Sequence, residues 1–262
     1  MVSPLLRSGL FDRHGFRHGF TLRTGGCSAP PFATLNLARH VGDDPVAVQS
    51  NHVRVAGWVG FPPDRLFEVS QVHGSDVEVA SADGSPDELR AREADAIVGL
   101  AGVRPVAVGV RVADCIPLLL ADPRTGAVAA VHAGWRGVVA RVVEAAIDAL
   151  EREAGTDRAD VLAVVGPHIR ADAFEVGEDV AARIAGEAHG AAVVRHGHDK
   201  PRVDLAAVVV AQLSHLGIAP ERIDDVGGCT FQEADRFFSY RRDGSRSGRH
   251  LGVIVARGRA LL

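Results

Sequence analysis

VADCIPLLLADPRTGAVAAVHAGWRG, residues 112–137, is the stretch on which the fold turns. Two apolar runs, 116–121 and 127–131, flank Asp122, Pro123, Arg124, Thr125 and Gly126. Asp-Pro and Gly are turn residues, so the segment reads as two strands of a β-hairpin. Pairing Ala121 with Ala127 sets Cys115 opposite Ala133 and His132 opposite Ile116. A thiol and an imidazole then lie within one step of each other at the open end of the hairpin. A small bulge at Pro117 would bring both onto one face.

Working outward, RPVAVGVRVADC (104–115) is a β-branched, buried strand leading into the hairpin. GVVARVVEAAIDALEREAG (137–155) follows as one helix. Val139, Val142, Val143, Ala146, Ile147 and Leu150 recur at helical spacing, and Gly155 closes it. VLAVVG (161–166) is a further strand. EDVAARIAGEAHG (178–190) and VDLAAVVVAQLSHLG (203–217) are helices, and LGVIVARG (251–258) is a closing strand. Strands and helices alternate with hairpins among them. The class is therefore α/β (α+β), one domain over residues 1–262, with a mixed sheet and flanking helices.

Composition narrows the function. The 262 residues are 47% hydrophobic and 24% charged, the profile of a globular protein with a sizeable core. A net charge of −4 with scattered arginines leaves no nucleic-acid footprint. The longest apolar run, 103–121, is broken by Arg104, Arg111 and Asp114, so no membrane span is expected. MVSPLLRSGLFDRHGF at the start lacks the apolar segment of a signal peptide. Cys27, Cys115 and Cys229 are an odd number, far apart and without CxxC spacing, which fits reduced thiols in the cytoplasm.

Cys115 and His132 admit three readings: two ligands of a metal, a thiol activated by imidazole, or a buried cysteine beside a hydrogen-bonded histidine. His73, beside Gly74 in EVSQVHGSDVEVA (68–80), is placed to point into a cleft, but no spacing here forms a metal signature. Arg136 stands at a helix start, where unpaired N–H groups favour a phosphate or carboxylate. Glu175 and Asp114 are candidate acid–base groups. Tyr240, Arg241 and Arg242 read as surface residues beside a turn. His189, His196 and His198 read as a histidine-rich surface loop. No P-loop and no GxGxxG is present, which argues against an NTPase or a Rossmann dehydrogenase.

TLRTGGCS, LNLARHVGDDP, SQVHGSDV, EADAIV, VADCIPLLL, AAVHAGWRG, GPHI, FEVG, GGCTF, FFSYRRDG and GRHLGVI occur in this order over nearly the whole chain. In them the chain resembles the YfiH family, also called the laccase-domain or multicopper polyphenol oxidase family, FAMIN-like and counted among purine nucleoside phosphorylases. QVHG, ADC and HAGWRG are the specific part. The resemblance implies that His73, Cys115 and His132 are metal ligands, zinc with copper as the other metal, in a fold similar to CNF1-type cysteine hydrolases. It implies cleavage of adenosine, inosine and methylthioadenosine by phosphate, with adenosine deamination as a side activity. Cys115, His132, Arg136 and Glu175 are the expected catalytic residues, and Arg136, Asn36 and Arg23 the expected substrate contacts.

Three ligands leave a coordination position open, which suits zinc-assisted transfer better than the several coppers of a laccase. A copper polyphenol oxidase and a Cys–His or metal-dependent amidohydrolase remain the alternatives. The expected partners are purine nucleosides and phosphate, with neither nucleic acid nor membrane, and the protein is expected as a monomer or weak homo-oligomer. One departure is visible: relatives with a cysteine just before YEVG differ from this chain, which has IRADAFEVG and no thiol there.

Overall fold

The hairpin forms at the centre of the chain, as its turn residues require. In the computed structural model, which describes residues 4–195 and 199–258, its strands are β7 (Ile116–Ala121) and β8 (Val128–Ala133). The register differs by one residue from the simplest pairing: Ala121 faces Val128, Pro117 faces His132 and Ile116 faces Ala133. The turn explains the shift. The Asp122 N–H donates to the Ala127 carbonyl at 2.9 Å, which adds one more pair before the chain reverses. The Asp122 carboxylate accepts from the N–H groups of Arg124 at 2.7 Å and Thr125 at 3.2 Å, and from the Thr125 hydroxyl at 2.8 Å. No bulge occurs at Pro117, because β7 pairs with β8 residue by residue throughout. Cys115 instead leaves the ladder and sits in the bend before β7.

Around the hairpin lies a six-stranded mixed sheet in the order β12 (Ile223–Asp225), β9 (Leu162–Val165), β7, β8, β5 (Ala96–Gly99), β4 (Val77–Ala80). A five-stranded mixed sheet runs β1 (Leu5–Leu6), β2 (His18–Thr21), β13 (His250–Val255), β6 (Ala107–Val112), β3 (Leu66–Phe67). A short ribbon pairs β10 (Val194–Arg195) with β11 (Arg202–Val203). The outer pairs β12–β9, β5–β4 and β6–β3 are parallel, and the other pairings are antiparallel.

Alternation along the strands builds the layers. Leu119, Ala121, Ala130 and Val164 meet Phe20, Phe67, Val108 and Val110 between the two sheets. Leu118, Leu120, Ala129 and Val131 point the other way. They pack under the helices α5 (Val142–Ala154), α6 (Glu178–Gly186) and α7 (Leu205–His215). Helix α2 (Pro45–Val59) covers the far side of the five-stranded sheet through Val55, Ala56 and Val59 against Leu251 and Val253. Four short helices, α1 (Gly9–Arg13), α3 (Pro86–Arg90), α4 (Trp135–Val139) and α8 (Tyr240–Asp243), complete the set. Among the described residues no helix is long and apolar enough to cross a membrane.

The helix expected over 137–155 is two helices. Arg141 adopts φ 62°, in the left-handed region, and separates α4 from α5. Gln212 donates to the Val138 carbonyl at 3.1 Å, and Arg141 pairs with Glu187 at 3.0 Å, so the break is held by tertiary contacts. Consequently α4 is a single turn, with little of the dipole expected of a long helix behind Arg136. His196 and His198 lie outside the described residues, while His189 stacks on His215 at 4.0 Å.

Removing the turn's clamp tests the register argument. Asp122→Asn is expected to destabilise the protein by about 1–3 kcal/mol at pH 7 in denaturant unfolding. Burial opposes ionisation of Asp122, but its hydrogen bonds, first from Thr125, hold its pKa below the usual value. The deficit relative to wild type is therefore full above about pH 4 and shrinks as the pH falls through the folded pKa. A deficit that does not shrink in acid would show that the carboxylate's charge has no part in it.

Candidate metal centre and cleft

The chain passes from the five-stranded sheet into the six-stranded sheet between β6 and β7, through Ala113, Asp114 and Cys115. Asp114 makes this crossing in the left-handed region, at φ 89°. Its side chain holds the strained bend: one oxygen accepts from the Thr230 hydroxyl at 2.7 Å, the other from the Arg241 N–H at 2.6 Å. The bend turns Cys115 toward the end of β8, where His132 is the penultimate residue.

His73 reaches the same point from the loop before β4, also with positive φ, at 63°. The ligand atoms of His73, Cys115 and His132 all lie within 4.8 Å of one another. Cys115 Sγ is 3.9 Å from His73 Nε2, and the two imidazole rings meet edge to face at 4.7 Å. Gly134 makes the cluster possible. A Cβ there would stand 3.0 Å from Cys115 Sγ and 3.0 Å from His73 Cδ2. A thiolate, two imidazoles and a glycine that leaves them room fit a zinc-type ion with one position open.

Asp95, not singled out in the sequence, organises the three. It is fully buried at the start of β5. Its carboxylate accepts from the N–H groups of Val72 at 3.2 Å, His73 at 2.9 Å and Gly74 at 2.6 Å, and from His132 Nδ1 at 2.7 Å. A carboxylate only accepts here, so Nδ1 carries the proton and Nε2 is left for a ligand role. The signal was present in EADAIV, where Asp95 is a charge between Ala94 and an apolar strand.

Electrostatics follow from this packing. Burial opposes ionisation of Cys115, yet His132's charge and hydrogen bonds with both imidazoles bring its pKa down to about 6. Burial likewise opposes a charged His132, but Cys115 and the bond to Asp95 raise its pKa to about 9. Without a metal, the pair is therefore a thiolate beside an imidazolium at neutral pH.

A cleft of 740 Å³ opens over the cluster. Arg136 lines it, with its guanidinium 4.6 Å over the Trp135 ring. Tyr240 and Arg241, read as surface residues from the sequence, line it too, together with Gln71, Arg111, Phe174 and Arg249. Arg242 does not; it donates to the carbonyls of Thr230, Phe231 and Phe237.

Other expected site residues stand apart. Glu175 pairs with Arg202 at 3.0 Å and offers the cleft only its carbonyl, to Arg241 at 2.9 Å. Arg23 donates to the carbonyls of Ala33 and Ala234, which ties two loops together. Asn36 is fully buried and bonds Asp43, Ala38 and the Arg249 N–H. Neither Arg23 nor Asn36 is among the residues of the cleft wall.

Comparison with known proteins places the chain. The pattern of the family described as multi-copper polyphenol oxidoreductase laccase matches residues 17–257, and the chain belongs to that family. It is 42% identical over 241 residues to a protein of Streptomyces coelicolor named purine nucleoside phosphorylase, covering 92% of this chain and 96% of that one. A Deinococcus radiodurans protein of the same name is 39% identical over 251 residues, covering 96% and 92%. The fold is similar to YlmD from Geobacillus stearothermophilus, with a TM-score of 0.87 at 29% identity over 98% of this chain and 97% of that one. It is also similar to Bacillus licheniformis YfiH, with a TM-score of 0.83 at 28% identity over 92% of each.

Two expected outcomes follow from the geometry. Alkylation of Cys115 in chelator-treated protein should rise with pH through a midpoint near 6. In His132→Ala the midpoint should return toward the ordinary thiol range, and an unchanged profile would refute the pairing. Asp95→Asn should weaken zinc binding by about 10–100-fold in chelator competition, because it disturbs both the His132 tautomer and the loop carrying His73.

Proposed function

We propose that the protein is a metal-dependent purine nucleoside phosphorylase. It takes adenosine, inosine or methylthioadenosine with phosphate and yields free base and ribose 1-phosphate. Adenosine deamination is its side activity. The observation that carries the reading is one three-ligand cluster, His73, Cys115 and His132, at the floor of a cleft rich in guanidinium groups. The names of relatives that match this chain nearly end to end support it. A single such cluster among the described residues also speaks for zinc, with copper as the second metal, over the several coppers of a phenol oxidase.

In phosphorolysis a phosphate oxygen forms a bond to the ribose C1′ as the bond from C1′ to the purine breaks. The electron pair leaves with the base, which gains a proton. When bound, the metal ion supplies Lewis acidity to an oxygen of substrate or phosphate. His73, Cys115 and His132 would hold it, and Asp95 keeps His132 in the ligating tautomer. Arg136 and the other arginines of the wall orient the anion and balance its charge. Trp135 and Tyr240 bring aromatic surface to the wall beside Arg136 and Arg249, which lie over their rings. Asp114 has both oxygens engaged and keeps the Cys115 bend in shape. Glu175 acts through its carbonyl on Arg241.

We read the protein as cytoplasmic, where Cys27, Cys115 and Cys229 stay reduced, and as a monomer or weak homo-oligomer. One observation favours a second reading. The thiolate–imidazolium pair that Cys115 and His132 form without metal is the arrangement of a cysteine amidohydrolase.

The experiment is product analysis of inosine and adenosine with purified protein, with and without phosphate. Phosphate-dependent release of hypoxanthine and adenine is expected, with activity lost in Cys115→Ala. Absence of base release under both conditions would remove the phosphorylase reading. Amide cleavage that survives chelation and stops on alkylation would install the thiol hydrolase.

A further inference from the structure

The cleft carries more positive charge than its metal cluster accounts for. Arg111, Arg136, Arg241 and Arg249 line it against a single carboxylate, Asp114, which is already engaged. Arg136 lies over Trp135, while Arg241 lies over Phe174 and donates to the Glu175 carbonyl. Arg249 likewise lies 5.5 Å over the Tyr240 ring, but Arg249 and Arg111 are in addition clamped at their main chains by the amide side chains of Asn36 and Gln71.

Arg111 is 9% exposed. Its Nη2 donates to the Val69 carbonyl at 3.0 Å, and its Nε lies 3.7 Å from Glu68. Gln71 clamps its main chain from both sides, accepting from the Arg111 N–H and donating to the Arg111 carbonyl, each at 2.8 Å. Arg249 donates through Nη1 to the carbonyls of Ser247 at 2.7 Å and Gly248 at 3.0 Å. Its main chain is fixed by Asn36 Oδ1 at 3.0 Å and by the Leu37 N–H at 3.1 Å. Among the described residues, Nη1 of Arg111 and both Nε and Nη2 of Arg249 have no hydrogen-bond partner.

These two groups act on each other. Burial lowers the pKa of Arg249; the nearby Cys115, Asp114 and Tyr240 oppose this, and Arg111 adds to the lowering. His40, on the same wall, is lowered by burial and then by the same two arginines. Guanidinium groups with free donors on one cleft wall favour a bound anion in front of them, beyond the carboxylates already engaged behind and beside them.

Behind Arg111 lies Glu68, 1% exposed, with both carboxylate oxygens lacking any hydrogen bond. Burial opposes its ionisation, but the positive charges around it, Arg111 first, hold its pKa below the ordinary value. It is an anion kept in the interior for the guanidinium in front of it.

We propose that Arg111 and Arg249 form the seat of the inorganic phosphate, and that Glu68 is a positioning residue that fixes Arg111 there. This rests on the phosphorolysis reading and names the residues that take its second substrate. Two forked cations with free N–H groups, each held at its main chain, suit a tetrahedral dianion approached from two sides. Asn36, expected from the sequence to touch substrate, then acts one step removed, through the main chain of Arg249.

The test uses metal-loaded protein and three variants, Arg249→Ala, Arg249→Lys and Glu68→Gln. Steady-state KM is measured for phosphate and for inosine, and inorganic phosphate binding is measured by calorimetry with and without inosine. Arg249→Ala should raise the phosphate KM at least about tenfold while the inosine KM stays within about twofold. Arg249→Lys should recover part of the loss. Glu68→Gln should raise the phosphate KM by a smaller factor, again without moving the inosine KM. Should Glu68→Gln fail to fold, the Arg249 variants decide alone.

An unchanged phosphate KM in Arg249→Ala, or an equal rise in both constants, overturns the seat while phosphate-dependent base release keeps the phosphorylase reading. Wild-type protein that binds phosphate, loses it in Arg249→Ala and yet releases no base keeps the seat and defeats that reading. Wild-type protein that binds no phosphate under either condition overturns the seat.

Discussion

The site depends on the buried carboxylate of Asp95. Its four hydrogen bonds join the loop before β4 to the end of β8: three go to the backbone of the loop carrying His73, the fourth to the ring of His132. Its own carbonyl accepts the His132 N–H at 2.7 Å, so side chain and main chain grip the same residue. A carboxylate this buried is tolerable only because every approach is met by a donor. The energetic requirement of the buried charge and the geometric requirement of the ligand cluster are therefore satisfied by the same bonds.

Around that point the fold concentrates its irregularities. His73 and Asp114 both have positive φ, and both flank the cluster. The change of sheet at Asp114 takes Cys115 out of regular pairing. The break at Arg141 limits α4 to one turn and leaves Arg136 and Trp135 on the cleft wall. The five-stranded sheet packs on one face of β7 and β8 and helices α5, α6 and α7 on the other, and this rigid frame is what lets strained bends persist at their ends.

Much of this was legible from residue order. The Asp-Pro…Gly turn marked the hairpin, and apolar alternation and helical spacing found β6, β9, β13, α6 and α7 and the body of α5. Proximity of Cys115 and His132 also followed from the hairpin. The one-residue register shift did not, because it is set by Asp122 closing an extra pair rather than by hydrophobic pattern. Nor did the break at Arg141, since the apolar residues keep their helical spacing across it; it is held from outside by Gln212 and Glu187. Tyr240 and Arg241 are exposed, as their polarity suggests, but polarity alone did not show that this exposed face is a cleft wall.

The sequence by itself determined the mixed α/β class, the hairpin and the thiol–imidazole pair, and its family motifs pointed to His73 as their neighbour. These rest on local patterns of side-chain period and turn chemistry that act over a few residues. Only the tertiary structure decided that Asp95 ties His73 to His132, that Gly134 leaves the cluster room, and that Arg23 and Glu175 are held by other partners rather than in the cleft wall. Those facts depend on contacts between residues tens to hundreds of positions apart, where burial fixes each charge to a partner that no local pattern can name.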